Sequence, residues 1–441
     1  MRFRRCFAGF AMVLATSLVT LGVTPIAASA ATTATASEIG VTPTTIHIAV
    51  LADVNTPAAP GLFKGSVIGI QAFAKYVNAN GGIAGRKLVV DFVDTQLSAD
   101  LAQQGLIQAC QSDLALVGTS ALFLNNLAPM LQCKNKAGAA VGLPDFPDVE
   151  SDFAHACSPV SFTYAGDILH CSTKDAHPQT YTVNTGAEQY LAKKYHMTKG
   201  SWLSGDDIKG TLDATYPIVA AEQVGPYPLK GENFLVSGIA PQSTYTPYVE
   251  RLQQSGTQYV EDLAALGSMV LVRKEAAVQG ITGVKAWTCT EICYDKNFIQ
   301  QGGTAVNNTF VTLGYVPPEE ASLNKATATM VKYIGKSNVS GFATASWIEG
   351  LLFQDAANAA VAKYGVNGLT RANLLTAVRG IHSFNANGML GNVDVGTQQE
   401  YPCFMEMQVQ NGKYVQVYPA KKGTLDCKKS NLVTTKYNNQ S

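Results

Sequence analysis

Cysteine is the residue type whose count and spacing constrain the chemistry of this 441-residue chain most tightly. Cys6 lies in an N-terminal leader, and eight others follow: Cys110, Cys133, Cys157, Cys171, Cys289, Cys293, Cys403 and Cys427. An even number in an exported chain reads as four disulfides, and pairing of sequence neighbours is the simplest arrangement because each pair closes a short loop. Cys289-Thr290-Glu291-Ile292-Cys293 could instead be half a metal site, but no second cluster or histidine stands near it in sequence, so a disulfide is expected. The six histidines, His47, His155, His170, His177, His196 and His382, are not spaced as metal ligands. His47 falls within an apolar run and is expected to pack; His170 and His177 are expected to face solvent. No metal site and no cofactor are therefore expected. Thr119-Ser120-Ala121 sets short hydroxyls beside backbone N–H groups, which is chemistry for seating an anion. There is no zinc signature, no G-x-S-x-G and no phosphate-binding loop, and nothing argues for a dispersed hydrolase set; the chain is expected not to be an enzyme.

Composition narrows the setting in which these residues act. Lysine plus arginine equals aspartate plus glutamate at 32 each, so the clustered basic excess of a nucleic-acid binder is missing. Charged residues make up 15%, low against a typical ~25%. Arg2, Arg4 and Arg5 precede an apolar stretch from Phe7 to Val23, and Ala28-Ser29-Ala30 supplies a small-x-small cleavage site. That is the pattern of a secretory signal peptide cut near Ala30, with no cysteine placed to carry a lipid. Residues 31–43 read as a flexible spacer, and localisation is expected in the periplasm, the cell envelope or outside the cell.

The elements that must position these residues alternate. Ile46 to Leu51 reads as a strand, Gly65 to Val77 as a helix with apolar residues at three- and four-residue spacing, and Leu88 to Val93 and Leu114 to Gly118 as further strands. A helix over 124–134 and a fourth strand over 138–142 are expected, then an irregular segment with one β-like run, Val160 to Tyr164. A second set begins with a helix over 179–195. Its strands are expected near 200–204, 234–238, 258–263, 284–287 and 310–313, and Pro217 is expected to kink or break a helix over 211–223. Helices follow at 325–335, 343–364 and 371–379, then a hairpin turning at Asn411-Gly412. The class is α/β: two sets of βα units built on parallel sheets, whose strand-end loops would face each other across a cleft.

The segment Val77-Asn78-Ala79-Asn80-Gly81-Gly82-Ile83-Ala84-Gly85-Arg86-Lys87-Leu88, with Gly65 and Gly69 before it, resembles the opening of type I periplasmic solute-binding proteins. The leucine/isoleucine/valine-binding branch is the nearest group, and Val117-Gly118-Thr119-Ser120 and Leu127-Ala128-Pro129-Met130 continue the likeness. The resemblance implies two Rossmann-like lobes joined by three crossovers: residues 44–160 with 313–398, and 161–312 with 399–425, leaving 426–441 as a C-terminal tail. It implies capture of a small solute between the lobes and delivery, by a monomer, to the membrane permease of an ABC importer. The alternative is a ligand-sensing or interaction protein of the envelope using the same fold. Carried over residue by residue, Thr119, Ser120 and Ala121 would hold a solute carboxylate, the fourth-strand end would offer Leu143 and Asp145, and Phe63 would give an aromatic wall. Across the cleft Glu291 is the nearby carboxylate for an ammonium, and Tyr164 and Trp287 are aromatic candidates. Leu-Pro-Asp-Phe at 143–146 and Ala264-Ala265-Leu266 replace the family's small-polar and aromatic positions. A branched-chain amino acid, or another small carboxylate or amide with an apolar body, is the expected solute.

Overall fold

A computed structural model describes residues 33–57, 59–150, 153–165, 180–205, 209–238 and 240–436, with backbone alone over 209–214. The leader, Cys171, His170 and His177 lie outside the described residues.

Four strands form the first sheet: β1 (Thr45–Ala52), β2 (Lys87–Asp94), β3 (Ala115–Thr119) and β4 (Asp145–Pro147), in the order β2-β1-β3-β4 and all parallel. The fourth strand starts later than expected. Gly138 and Gly142 adopt positive φ, which breaks the extended run over 138–142, so pairing begins only at Asp145. Its helices are α1 (Lys64–Ala79), α2 (Ala99–Ser112), the single turn α3 (Ala128–Leu131) and the single turn α4 (Phe153–Ala156). The helix expected over 124–134 shrinks to α3, which carries a proline in its first turn. Val160 to Tyr164 contributes one bridge, Ser161 to Asp145, rather than a strand.

The second sheet has seven strands. β6 (Lys199–Gly205), β7 (Lys230–Val236), β8 (Tyr259–Asp262), β9 (Ala286–Cys289) and β10 (Thr309–Leu313) run parallel, in the order β7-β6-β8-β9-β10; β5 (Thr180–Asn184) lies outside this sheet. The hairpin β11 (Met405–Gln410) and β12 (Lys413–Tyr418) extends it antiparallel, turning at Asn411 and Gly412, both at positive φ. Helices α5 (Gly186–Tyr195), α6 (Lys209–Val224), α7 (Thr246–Ser255), α8 (Leu266–Val278) and α9 (Lys296–Gly302) alternate with these strands. The helix runs through Pro217 without a break. Residues 180–184, expected to open a helix, are instead strand β5, paired antiparallel with β13 (Leu432–Lys436) in what was expected to be a tail. Partner choice decides this, since β13 lies some 250 residues away in sequence and no local pattern announces it.

The remaining helices return to the first sheet. Among α10 (Lys325–Ile334), α11 (Gly341–Tyr364) and α12 (Arg371–Val378), α11 packs on α1, β3 and β4. Val67, Ile70, Phe73, Ala74 and Val77 of α1 are buried as their spacing predicts. The close crossing needs Gly69, where a Cβ would stand 2.4 Å from the carbonyl oxygen of Ala343. The Asn-Gly-Gly turn ends α1 through Gly81 and Gly82 at positive φ; a Cβ on Gly82 would meet the Arg86 carbonyl oxygen at 2.0 Å.

Three disulfides join sequence neighbours as expected: Cys110–Cys133, Cys289–Cys293 and Cys403–Cys427. Cys157 is also disulfide-bonded.

Candidate functional site

Parallel strands end with their carbonyl groups pointing the same way, so the loops beyond them collect at one edge of each sheet. At the first sheet that edge is organised by Asp53, the residue after β1. Its buried carboxylate accepts from Thr95 Oγ1 at 2.6 Å, from the Leu97 N–H at 2.6 Å and from the Leu122 N–H at 2.8 Å. One side chain thus ties the loops after β1, β2 and β3 together. Asp94 supports it from the end of β2, accepting the N–H groups of Val54 and Asn55.

Asp262, the last residue of β8, does the same at the second sheet. It accepts the Ala264 N–H at 2.9 Å and the Ser268 hydroxyl at 2.6 Å, and Ser268 Oγ in turn receives the Ala265 N–H at 3.0 Å. Burial pushes the Asp262 carboxyl up to about 7 despite these donors. After β9, the Cys289–Cys293 bridge turns the chain so that the Tyr294 carbonyl accepts the Gly341 N–H, opening α11, at 2.7 Å. Asp295 then caps α9 by accepting from the Asn297 N–H at 2.6 Å.

Between these edges lies a cavity of about 490 Å³. Leu62, Leu97, Leu122 and Phe123 line it from the first sheet's loops. Gly205, Gly238, Ala264, Ala265 and Gly267 line it from the second, with Ile292 and Tyr294 beyond β9. Phe342, from the first turn of α11, joins them. Polar groups are few: Asp295, Asn297, Gln301 and Ser340. No lysine, arginine or histidine is among the lining residues.

None of the residues singled out in the sequence as ligand contacts lines this cavity. Phe63 is buried with its ring 4.8 Å from that of Phe342, edge to face, so it braces a lining residue. Thr119 donates to Asp145 at 2.6 Å; Asp145 also receives Ser161 Oγ at 3.1 Å and stands 2.7 Å from His155 Nε2, all in full burial. Ala121 and Leu143 are core. Trp287 is buried in β9 beneath the Arg273 guanidinium, 4.8 Å from its ring centre. The lining neighbours of these residues, such as Leu122 and Ile292, were passed over. Their sequence signal is position: each lies three residues beyond a strand end, Thr119 of β3 and Cys289 of β9.

Ser120, Tyr164 and Glu291 instead join a polar cluster. Ser66 and Ser346 donate to Asp148 Oδ2 at 2.7 and 2.6 Å, and Ser120 donates to Ser66 at 2.8 Å and stands 3.4 Å from the same carboxylate. The hydroxyl expected to seat a solute anion thus faces a carboxylate of the chain itself. Glu349 of α11 accepts from Thr163 Oγ1 and the Tyr164 N–H at 2.7 and 3.0 Å. Burial pushes Asp148 up to about 7 and raises Glu349 well above the carboxylate range. Glu291, hydrogen-bonded to Tyr315, is pushed up to about 8 by burial and then by the charge of Asp148. The cluster gathers residues from both sheets' loops and from α11.

A sequence profile of the family described as "Periplasmic binding protein" matches residues 45–413. No curated protein matches the chain by sequence. Among solved structures, a fatty acid ABC transporter substrate-binding protein from Thermomonospora curvata is similar at a TM-score of 0.68 and 14% identity, over 89% of this chain and 95% of that one. A leucine binding protein, LivK, from Thermotoga maritima gives 0.65 and 14%, over 84% and 97%. An ABC transporter solute binding protein from R. palustris, in complex with benzoate, gives 0.62 and 16%, over 85% and 95%.

Proposed function

The chain belongs to the periplasmic binding protein family, and from that premise we propose that it is an exported solute-binding protein that captures a small solute in the cavity between its two sheets and passes it, as a monomer, to an ABC importer permease. The observation that carries this reading is the cavity itself, walled by strand-end loops of both sheets and by the start of α11. Its volume of about 490 Å³ lies within the ~300–1,000 Å³ common for small-molecule sites. In this reading each sheet centres one lobe, 44–160 with 313–398 and 161–312 with 399–425, and the lobes close on the solute.

The solute class follows from the wall. Carbon-rich side chains favour an apolar body, and Asp295, Asn297, Gln301 and Ser340 offer a few polar contacts at one end. A branched-chain amino acid, or a small carboxylate or amide with an apolar body, fits this description. The similar proteins described above are a fatty acid transporter component, a leucine binding protein and a protein in complex with benzoate, and these three compounds share such a body. Phe342 meets the solute, with Phe63 behind it; Ser120 and Glu291 belong to the buried polar cluster and are not among the lining residues.

A thermal-shift screen of purified protein against amino acids, aliphatic and aromatic acids and their amides tests this. A binder raises the melting temperature because it stabilises the folded form by RT ln(1 + L/Kd), where L is the free ligand concentration. Phe342→Ala is expected to weaken the best hit about tenfold, an aromatic contact being worth ~1–2 kcal/mol. A panel in which nothing shifts the protein, or a hit indifferent to Phe342→Ala, would refute the assignment.

A further inference from the structure

We propose that His47, Asp91 and Asp113 form a divalent-metal site of the zinc class at the end of the first sheet away from the cavity. The three residues come from the start of β1, the middle of β2 and the junction of α2 with β3. Each offers one ligand atom, and these atoms lie within 4.8 Å of one another. His47 Nδ1 stands 2.9 Å from Asp91 Oδ2, and both side chains are open to solvent, at 33% and 40% exposure. Local spacing in the sequence could not reveal this set, because the register of β1 against β2 makes it.

Asp113 supplies the independent observation. It is 1% exposed, its Oδ2 accepts the Ser112 hydroxyl at 2.7 Å, and its Oδ1 is buried with no hydrogen-bond partner. A buried carboxylate oxygen without a donor is destabilising, more so when charged. The residue also caps the C-terminal end of α2, where the helix dipole opposes negative charge. The neighbouring cation, Arg371, does not relieve it: that guanidinium donates to the carbonyl oxygens of Asp113, Cys110 and Lys134 and to Cys133 Sγ. Two carboxylates and one imidazole with ligand atoms within 4.8 Å of one another, one buried carboxylate oxygen among them lacking a donor, is an arrangement a bound cation completes.

The donor set selects the ion. One imidazole with two carboxylates suits Zn²⁺ and its first-row neighbours, whereas Ca²⁺ wants six to eight oxygens. Bonds of ~2.0–2.2 Å require ligand atoms roughly 3.3 Å apart, so the exposed His47 and Asp91 must draw in slightly around the fixed Asp113. Binding takes the imidazole of His47 through Nδ1, with its proton on Nε2, and a water takes the fourth position. The ion would tie β1, β2 and the base of β3 together, independently of any solute.

The test uses full-length, tag-free protein stripped with chelator and titrated with zinc chloride by calorimetry, with melting temperature read in parallel. One equivalent is expected to bind at micromolar affinity or tighter and to raise the melting temperature, while calcium chloride has no effect. His47→Ala and Asp91→Asn, both at exposed positions, are expected to fold normally in chelator and to lose at least tenfold in zinc affinity. His382→Ala, at an exposed His–Asp pair elsewhere, is expected to change nothing. Wild-type protein that binds no zinc, or zinc binding that survives both ligand variants, overturns the proposal.

Discussion

The two walls of the cavity use one device and opposite fillings. On the first sheet's side, a buried aspartate at a strand end gathers three loops, and those loops present bulk: Leu62, Leu97, Leu122 and Phe123. On the second sheet's side, a buried aspartate at a strand end gathers one loop, and around it the surface is mostly small: Gly205, Gly238, Ala264, Ala265 and Gly267, with Leu266 among them and the larger Ile292 and Tyr294 beyond β9. One wall is bulky at its aspartate's loops, and the other is mostly small there. The aspartates differ in their donors too. Asp53 receives backbone N–H groups from two separate loops, whereas Asp262 is served by groups within six residues of itself. The first wall is therefore cross-braced, and the second is a self-contained turn at the head of α8.

The largest expected effect comes from breaking the cross-brace. Asp53→Ala leaves the Leu97 and Leu122 N–H groups and the Thr95 hydroxyl without their acceptor, at about 1–3 kcal/mol for each that stays buried. We expect about 3 kcal/mol of lost stability in denaturant unfolding, because some of these groups reach water. Solute-induced stabilisation should vanish as well, since both leucines line the cavity. Stability within 1 kcal/mol of wild type would mean that the loops hold without the aspartate.

Exchanging the fillings gives the next effect. Ala264→Leu adds bulk to the small wall and should cost tenfold or more in solute affinity, about 1.4 kcal/mol, with the melting temperature of the free protein nearly unchanged. Leu122→Ala removes bulk from the other wall and should cost only a few-fold, because a solute loses contact rather than room. Equal losses from both, measured by calorimetry on one hit, would erase the distinction between the walls.

How far the sequence foretold this depended on the range of the interaction. The βα alternation, the Asn-Gly-Gly turn and the hairpin at Asn411-Gly412 are written in neighbouring residues and appear in the fold as read. β5 did not, because its partner β13 lies at the far end of the chain. The loops of the cavity were legible as strand ends, but the residues on its surface were not. Thr119 and Ser120 have the chemistry of an anion seat, yet the folded chain spends those hydroxyls on Asp145 and Ser66. Asp53 and Asp262 carry the site while looking, in sequence, like ordinary polar residues after a strand. The metal set was invisible for the same reason: His47 and Asp91 are brought together only by strand register.

The last expected effect is the response of the small wall to pH, through Asp262. Asp262 is held near 7 in the folded protein by burial, against roughly 4 when the chain is unfolded. Between those values the folded form keeps a proton that the unfolded form has released. The stability contributed by this group is thus fully present below about pH 4, falls as pH rises towards 7, and changes no further above that. Asparagine copies the protonated carboxyl, keeps an acceptor for the Ala264 N–H and cannot ionise. Asp262→Asn does not follow wild type down this slope and should therefore gain on it by roughly 2–3 kcal/mol between pH 5 and pH 8. Asp148, Glu291 and Glu406, also raised by burial, add their own downward slope to both proteins, so the difference between the two unfolding curves is the quantity to read. A variant whose stability tracks wild type in parallel from pH 5 to pH 8 would show that Asp262 is already ionised in the fold, and that the small wall is held by charge rather than by a neutral acid.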